Sequence, residues 1–172
     1  MKSTSQFVFE GKRFRVERLT IDEGTTRVLR DIVRHPGAVA IVPIVEQDHV
    51  CLIRNRRIAV DQTLIELPAG TLEPGEDPLL TATRELEEET GYHGGNWQKL
   101  AEFYLSPGVL DENMRLYVAT QLTAGPPRRE ASEQIENLVT PLDDALRMIF
   151  DGTIRDAKTI IGLMMYARRR SC

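Results

Sequence analysis

Hydrophobic and polar residues alternate with a period of two in three segments of the first 35 residues. Such alternation is typical of strands that bury one face. It predicts strands at residues 7–9, 14–21 and 27–33. Residues 50–54 and 63–67 are shorter strand candidates. Residues 37–45 instead form a continuous apolar run rich in β-branched side chains, which is typical of a strand buried on both faces.

A helix is predicted at residues 77–90. Asp77 is a good N-cap, Pro78 suits the first helical turn, and Gly91 can end a helix in a left-handed conformation. On this helix Leu79, Ala82 and Leu86 share one face, which we expect to pack on a sheet.

The C-terminal half alternates between strand and helix signals. Strands are predicted at residues 99–105, 114–122 and 134–139, and helices are predicted to begin at Thr140-Pro141 and at Asp156. Strands combined with a few helices indicate an α+β fold, with helices packed on a mixed or antiparallel sheet.

Composition narrows the class of protein. The 172 residues, 41% hydrophobic and 28% charged, are typical of one folded domain. Acidic residues outnumber basic ones by 26 to 22, which argues against a general nucleic-acid-binding protein. The first ten residues lack the apolar segment of a signal peptide, and no apolar stretch approaches the roughly 20 residues that cross a bilayer. We therefore expect a cytoplasmic protein with no nucleic-acid or membrane partner.

The acidic excess is concentrated in one segment. Residues 73–89 contain seven acids and one base, a net charge of -6, so the rest of the chain carries +2 of the total of -4. Glu85, Glu88 and Glu89 are spaced i, i+3 and i+4, so their carboxylates share one helix face, from which Glu87 points away. Clustered carboxylate oxygens suit a hard cation such as Mg²⁺, although an acidic run by itself is more often a solvated helix face.

The whole segment follows a longer pattern. From Gly70 to Tyr92 it reads Gly-x5-Glu-x7-Arg-Glu-U-x-Glu-Glu-x-Gly-U, where U is a bulky apolar residue. Only Tyr92 departs, because an aliphatic residue is usual there. This pattern is the Nudix box, and the chain resembles the Nudix hydrolases. The resemblance implies an α/β/α sandwich around a mixed β-sheet, with extra N-terminal strands here. It also implies hydrolysis of a nucleoside diphosphate derivative by water attack on phosphorus, with Mg²⁺ as cofactor and Mn²⁺ as a possible substitute.

Motif positions assign roles within the resemblance. Glu85 and Glu89 would be the main Mg²⁺ ligands, assisted by Glu88 and the Ala69 carbonyl. Arg84 would orient the glutamates through ion pairs, and Glu76, in the preceding loop, would hold that loop or the outer shell of the metal.

A second motif follows the box. Residues 105–112 read Leu-Ser-Pro-Gly-Val-Leu-Asp-Glu, and Pro107 lies 16 residues beyond Gly91. A Ser-Pro-Gly loop ending in Glu at this spacing resembles the ADP-ribose pyrophosphatase subfamily. That resemblance makes Glu112 the candidate general base, with Glu88 as the alternative, and places Pro107 and Gly108 at the substrate. The alternative interpretation of residues 105–112 is a β-turn with a solvated Asp-Glu pair and no catalytic role.

Several residues outside these motifs are candidates for substrate binding. Arg57 matches an arginine of the resembling subfamily and would contact phosphate, since guanidinium groups bind phosphate in a bidentate way. For Arg54, substrate binding and a solvated basic strand end are equal interpretations. Arg56 replaces the aromatic residue usual in this group, which leaves base specificity open. Glu66 either contacts substrate or faces solvent. Residues 156–159, Asp-Ala-Lys-Thr, also resemble the group, and a plain helix N-cap is an equal interpretation.

The leading hypothesis is therefore an Mg²⁺-dependent ADP-ribose diphosphatase that yields AMP and ribose 5-phosphate. One alternative is a pyrophosphatase for another nucleotide sugar such as GDP-mannose, and another is a Nudix module that binds ADP-ribose without turnover. Residues 36–172 would form the Nudix domain. Residues 1–35 would form extra strands. In the resembling enzymes such strands build a homodimer, often by strand exchange, and the partner subunit completes the substrate pocket.

Overall fold

The N-terminal residues form a small sheet of their own. The computed structural model describes residues 2–24, 26–129 and 134–170. The N-terminal strands are β1 (Lys2–Glu10), β2 (Arg15–Glu23) and β3 (Thr26–Arg34). They pair antiparallel in the order β1-β2-β3. All three predicted strands are present, and each is longer than its apolar alternation indicated because backbone pairing continues through polar positions.

A larger mixed sheet forms the centre of the molecule. Its strands are β4 (Ala38–Glu46), β5 (His49–Arg57), β6 (Gln62–Glu66), β7 (Ala69–Thr71), β8 (Asn96–Tyr104), β9 (Asn113–Thr120) and β10 (Ile135–Pro141). The main path is β10-β5-β4-β9-β8, with β6 paired to β5 and β7 paired to β4. β4 and β9 are parallel, and the other pairs are antiparallel. The short strand β7 and a 3-10 turn at Ile58–Val60 were not predicted.

Helices cover both faces of this sheet. α1 (Pro78–Thr90) packs on one face, and α2 (Leu142–Phe150) and α3 (Ala157–Arg170) pack on the other. The result is the expected α/β/α sandwich, an α+β fold with an additional N-terminal sheet. Among the described residues, no helix is long and apolar enough to cross a membrane.

β4 separates the two halves of the core. Ala38, Ala40 and Val42 face the cluster beneath α2 and α3, whereas Val39 and Ile41 face the cluster beneath α1. All five residues are 5% exposed or less. The prediction of a strand buried on both faces is confirmed, and it follows from the absence of polar positions in the run.

The helix α1 begins and ends where its capping residues predict. The Asp77 carboxylate accepts hydrogen bonds from the backbone N–H groups of Leu79 and Leu80, and Gly91 adopts the left-handed conformation with φ of 82°. Its packing face differs from the prediction at one position. Ala82 and Leu86 are fully buried, but Leu79 is 39% exposed. Leu79 lies in the first turn, next to the cap.

The helix α3 packs closely on the sheet at Gly162. A Cβ at this position would lie 2.5 Å from Cδ1 of Leu67 and 3.2 Å from Cδ1 of Leu116. This close contact brings the first turn of α3, including Lys158, down to the ends of the strands. The same region forms one wall of a cavity that is described below.

Candidate active site

A cavity of about 1420 Å³ lies between the N-terminal sheet, α1, the loop at residues 105–112 and the first turn of α3. Among the residues that the structure describes, acidic and basic side chains line it in equal numbers. The basic residues are Lys12, Arg13, Arg15, Arg34, Arg56, Arg57, Arg84 and Lys158, and the acidic residues are Glu10, Glu73, Glu85, Glu88, Glu89, Asp111, Glu112 and Asp156. Such a cavity offers anion-binding groups and cation-binding groups within one space.

The acidic face of α1 forms one wall of the cavity. Glu85, Glu88 and Glu89 all line it, as their i, i+3 and i+4 spacing predicted. Arg84 neutralises part of this charge, because its Nη1 atom lies 2.9 Å from Oε1 of Glu85 and 3.1 Å from Oε2 of Glu88. Glu87 points elsewhere and pairs with Arg128 at 2.9 Å.

The loop before α1 is shaped to receive these carboxylates. The backbone N–H of Ala69 donates to Oε2 of Glu89 at 3.1 Å. A Cβ on Gly70 would lie 2.1 Å from Cδ of Glu85, so only glycine allows the carboxylate to lie against the backbone here. The glycine that begins the sequence motif therefore makes room for the glutamate in its centre.

Arg84 and Glu76 hold the loop against the helix. Burial opposes the charge on Arg84, but hydrogen bonds and attraction from Glu76 and Glu85 outweigh this and raise the pKa of Arg84. Oε2 of Glu76 also accepts the backbone N–H of Glu73 at 3.1 Å. That hydrogen bond and the contacts with Thr81 and Arg84 hold the pKa of Glu76 below its usual value. Of the two predicted roles for Glu76, the structure shows the loop contact.

The donor atoms in this wall fit a hard divalent cation. They are carboxylate oxygens next to backbone at Ala69 and Gly70, and carboxylates with carbonyls are the ligands that Mg²⁺ takes in proteins. In the parts of the chain that the structure describes, no three acidic, histidine or cysteine side chains converge into a ready-made metal group. Instead, Arg84 and the Ala69 N–H engage the carboxylates. Ligand type and location therefore fit, and binding a cation requires rearrangement of these contacts.

The last turn of α1 is held by the loop that contains Arg128 and Arg129 and by Asn137 of β10, and the sequence assigned none of these residues a role. Arg129 donates through Nε to the Glu89 carbonyl at 2.8 Å, and Asn137 donates to the Thr90 carbonyl at 2.8 Å. The Arg128 N–H donates to the Glu88 carbonyl at 2.9 Å. These donors satisfy carbonyls that a helix end leaves free, and they fix the turn that carries Glu88 and Glu89. Charged residues in a Gly-Pro-rich loop were the only signal in the sequence.

Glu112 reaches the same cavity from the loop before β9. Its Oε1 atom lies 3.8 Å from Nδ1 of His35, and both side chains are mostly buried, with exposures of 16% and 14%. The His35 ring accepts the backbone N–H of Gly37 at Nδ1, at 3.1 Å. The neighbouring Asp111 points instead towards the linker between β3 and β4.

A network of buried charges forms the wall opposite α1. The Glu66 side chain is 1% exposed, and its carboxylate accepts hydrogen bonds from Arg57 at 2.8 and 2.5 Å and from Lys158 at 2.6 Å. Lys158 also lies 3.0 Å from Asp156, and Arg57 and Lys158 both line the cavity. The interpretation in which Glu66 faces solvent is therefore wrong. It holds the two cations that face the cavity.

Burial and ion pairing act in opposite directions on Glu66. Burial alone would raise the pKa of this carboxyl group, but the hydrogen bonds and charges of Arg57 and Lys158 outweigh burial and lower the pKa. Asp156 also caps α3, because its Oδ2 atom accepts the N–H of Thr159 at 3.0 Å. The Asp-Ala-Lys-Thr segment thus provides both a helix cap and a cation in the cavity wall.

Three predicted substrate-binding residues lie away from the cavity lining. Arg54 is paired at 3.4 Å with Glu136 of β10, and its side chain is 44% exposed. Pro107 and Gly108 lie in the turn of the 105–112 loop, of which Leu105, Asp111 and Glu112 line the cavity. The structure of this single chain does not bring these three residues to the other candidates.

Comparison with known proteins bears on this geometry. The family model described as NUDIX domain matches residues 34–161. The chain belongs to the NUDIX family. The match begins at the end of β3, so most of the N-terminal sheet precedes it, and it includes both α1 and the first turn of α3. As a Nudix hydrolase, the chain carries the box helix on the cavity wall.

Several curated relatives align with most of this Nudix chain. An ADP-ribose pyrophosphatase of Bacillus subtilis (strain 168) is 40% identical over 76% of this chain and 71% of its own. A methanol dehydrogenase activator of Bacillus methanolicus is 39% identical over 91% and 86%, and a GDP-mannose pyrophosphatase of Citrobacter koseri is 34% identical over 90% and 88%. A crystal structure of an ADP compounds hydrolase superimposes with a TM-score of 0.81 at 24% identity, covering 98% of this chain and 94% of that one, which supports the fold.

The buried Glu66 network predicts a specific stability change. Glu66→Gln removes the charge that compensates Lys158 and Arg57, and removing one partner of a buried ion pair costs about 3 kcal/mol. We expect the free energy of unfolding at pH 7 to fall by about this amount, measured by denaturation in urea. Because folding lowers the pKa of Glu66 below 4.5, its contribution is complete above that pH. The difference between the two proteins should therefore shrink as the pH falls through the folded pKa.

Glu136→Gln is the matched control, because it removes the exposed partner of Arg54. Exposed ion pairs contribute about 1 kcal/mol or less, so this variant should unfold close to wild type. Equal stability losses in the two variants would contradict the structural role assigned to Glu66.

Proposed function

We propose that this Nudix hydrolase cleaves the diphosphate bond of ADP-ribose with a divalent cation, Mg²⁺ or Mn²⁺, releasing AMP and ribose 5-phosphate. The observation that carries the proposal is that the carboxylates of α1, the Glu112 loop and the cations Arg57 and Lys158 line one cavity. The similarity to the ADP-ribose pyrophosphatase of Bacillus subtilis supports the choice of substrate. Hydrolysis of a diphosphate needs both the metal-binding carboxylates and the cationic side chains, because the negative charge of the diphosphate must be stabilised while water attacks phosphorus.

The metal-binding residues in this proposal are Glu85 and Glu89, assisted by Glu88 and the Ala69 carbonyl. When bound, Mg²⁺ supplies charge neutralisation to the diphosphate and acidifies the attacking water. Arg84 holds Glu85 and Glu88 side by side, which offsets the repulsion between them. Gly70 leaves room for Glu85 to remain there.

The opposite wall binds the anionic substrate. The Glu66 carboxylate fixes the guanidinium of Arg57, so this group meets a phosphate with less loss of side-chain freedom. Lys158 lies beside it as a second positive charge. Three predicted substrate-binding residues lie away from the cavity lining: Arg54, Pro107 and Gly108. They would contact the substrate only if the substrate extends beyond this cavity or if a second subunit brings them to it.

Glu112 is the proposed general base that accepts the proton of the attacking water. It lines the cavity, and 3.8 Å separate its Oε1 atom from Nδ1 of His35. Glu88 is the alternative base on α1. Its Oε2 atom already accepts a hydrogen bond from Arg84 at 3.1 Å, which favours a structural use of that carboxylate.

A second candidate substrate is GDP-mannose or a similar nucleotide sugar. Two observations favour it. Arg56, which lines the cavity, occupies the position where ADP-ribose pyrophosphatases usually have an aromatic residue, and its guanidinium pairs with Asp61. A GDP-mannose pyrophosphatase is also among the relatives that align with nine-tenths of the chain.

The N-terminal segment, residues 1–35, is proposed to form a homodimer contact beside the Nudix domain at residues 36–172. In the described part of this segment Phe7, Phe9 and Leu29 are more than half exposed, at 55%, 51% and 55%. Exposed aromatic and aliphatic side chains on a three-stranded sheet favour association with a second surface.

Substitution of the acidic residues tests the catalytic assignment. Glu85→Gln and Glu89→Gln should abolish phosphate-bond cleavage or raise the Mg²⁺ concentration needed for half-maximal rate. Glu112→Gln should lower kcat by about 10²–10⁴-fold, the usual contribution of a general base. Glu87→Gln is the control on the same helix and should keep the wild-type rate, since Glu87 faces Arg128. Wild-type turnover in Glu85→Gln, Glu89→Gln and Glu112→Gln would contradict the assignment.

A substrate panel tests the reaction itself. Values of kcat/KM for ADP-ribose, GDP-mannose and NADH, measured by product chromatography in Mg²⁺, should be highest for ADP-ribose. A higher value for GDP-mannose would favour the second candidate. Calorimetric binding of ADP-ribose with no cleavage in Mg²⁺ or Mn²⁺ would identify a binding module instead.

Light scattering tests the homodimer. The wild-type protein should have twice the chain mass at micromolar concentration, and a Phe7→Ser, Phe9→Ser variant should shift towards the monomer. Met164→Ser is the control, because it removes a 42% exposed apolar residue from α3, away from the N-terminal sheet. A monomeric wild-type protein would rule the contact out.

A further inference from the structure

The loop at residues 105–112 is attached to the N-terminal sheet as well as to its own hairpin. The Val33 N–H donates to the Val109 carbonyl at 2.8 Å, and the Asp111 N–H donates to the Val33 carbonyl at 3.1 Å. Together these form a short parallel bridge between Val33 and Leu110. The end of β3 is therefore a backbone partner of the loop that carries Glu112.

The Asp111 side chain strengthens this attachment with both of its oxygens. Oδ1 accepts the backbone N–H of His35 at 2.8 Å, and Oδ2 accepts Nη1 of Arg34 at 2.9 Å. Arg34 in turn donates through Nε to Oε2 of Glu17 on β2 at 3.0 Å. One carboxylate thus joins the loop, the β3–β4 linker and the N-terminal sheet.

The electrostatics agree with a tightly held carboxylate. Burial acts to raise the pKa of Asp111, but the His35 N–H and the Arg34 guanidinium outweigh it and keep the pKa below its usual value. The hydrogen bond to Asp111 is the strongest influence that raises the pKa of Arg34, ahead of that to Glu17. Both partners are therefore charged at neutral pH, and hydrogen bonds between charged groups are stronger than neutral ones.

This attachment has a consequence for the next residue. Asp111 points to the linker, and Glu112 points into the cavity towards His35, whose backbone N–H Asp111 also holds. The Asp111 carboxylate therefore fixes the backbone next to Glu112 and also the backbone of His35, whose ring faces Glu112. A shift of about 1 Å in a reacting group can lower a rate by about 10²-fold, so such control matters for a base.

We propose that Asp111 is a positioning residue for Glu112, and that its pairing with Arg34 and Glu17 makes the N-terminal sheet the support of the base-carrying loop. The inference rests on the proposed function, because it takes Glu112 to be the general base. It assigns a role in the reaction to residues that do not contact the reacting atoms. It also gives the N-terminal sheet a role within its own chain.

A double-mutant cycle tests this inference. Asp111→Ala is made in wild-type protein and in Glu112→Gln, and kcat and KM are measured for ADP-ribose cleavage. We expect Asp111→Ala to lower kcat by about 10–100-fold with KM within about twofold, and to change kcat by less than about twofold in the Glu112→Gln background. A residue that acts only by positioning Glu112 has nothing left to position once that carboxylate is gone.

Two further variants guard against a simple folding defect. Asp111→Asn keeps an oxygen for the His35 N–H but loses the charge, so it should retain more activity than Asp111→Ala. Arg34→Gln breaks the link to the sheet from the other side and should show the same dependence on Glu112. Asp31→Ala is the matched control, because it removes a bidentate pair with Arg18 at 2.7 and 2.9 Å within the same sheet. It should keep the wild-type kcat.

The outcomes separate this inference from the function on which it rests. A wild-type kcat in Asp111→Ala beside an impaired Glu112→Gln contradicts the positioning role alone. Equal losses from Asp111→Ala in both backgrounds show a general structural effect and also contradict it. A wild-type kcat in Glu112→Gln overturns the assignment of the base, and the positioning role is then overturned with it.

Discussion

Three glutamates on a single turn-and-a-half of α1 impose the main constraint on this structure. Like charges three and four residues apart repel, and a helix that carries them at a cavity wall must be held by other means. Arg84 lies between Glu85 and Glu88, Ala69 donates its N–H to Glu89, and Gly70 leaves space for a carboxylate against the backbone. An arginine within the helix and two residues of the preceding loop therefore stabilise the charge that the helix carries.

The opposite wall of the cavity contains cations whose burial must be compensated. Glu66, the last residue of β6, is almost completely buried and compensates Arg57 and, on α3, Lys158. Buried charges of this kind need several hydrogen bonds to offset the loss of water, and this carboxylate accepts three. The cavity thus has an anionic side and a cationic side, each stabilised from behind. A substrate that carries phosphate groups, together with a divalent cation, complements both sides.

The two parts of the chain meet at the loop before β9. The backbone bridge at Val33 and the side chains of Arg34 and Asp111 join the N-terminal sheet to the segment that ends in Glu112. The sheet is therefore coupled to the cavity within one chain, beside any contact it makes with a second copy. Lys12 and Arg13, in the turn between β1 and β2, also line the cavity from this side.

The local pattern of the sequence determined most of the strands, the caps and length of α1, the two-sided burial of β4 and the family, because each depends on residues near one another in the chain. It did not predict the short strand β7. The same spacing predicted that Glu85, Glu88 and Glu89 share a face. Only the tertiary structure decided that Glu66 is buried against Lys158, that Arg54 turns to Glu136, and that Asp111 holds the linker after β3. These contacts join residues 76 to 92 positions apart, and a partner at that distance leaves no periodic signal in a single sequence.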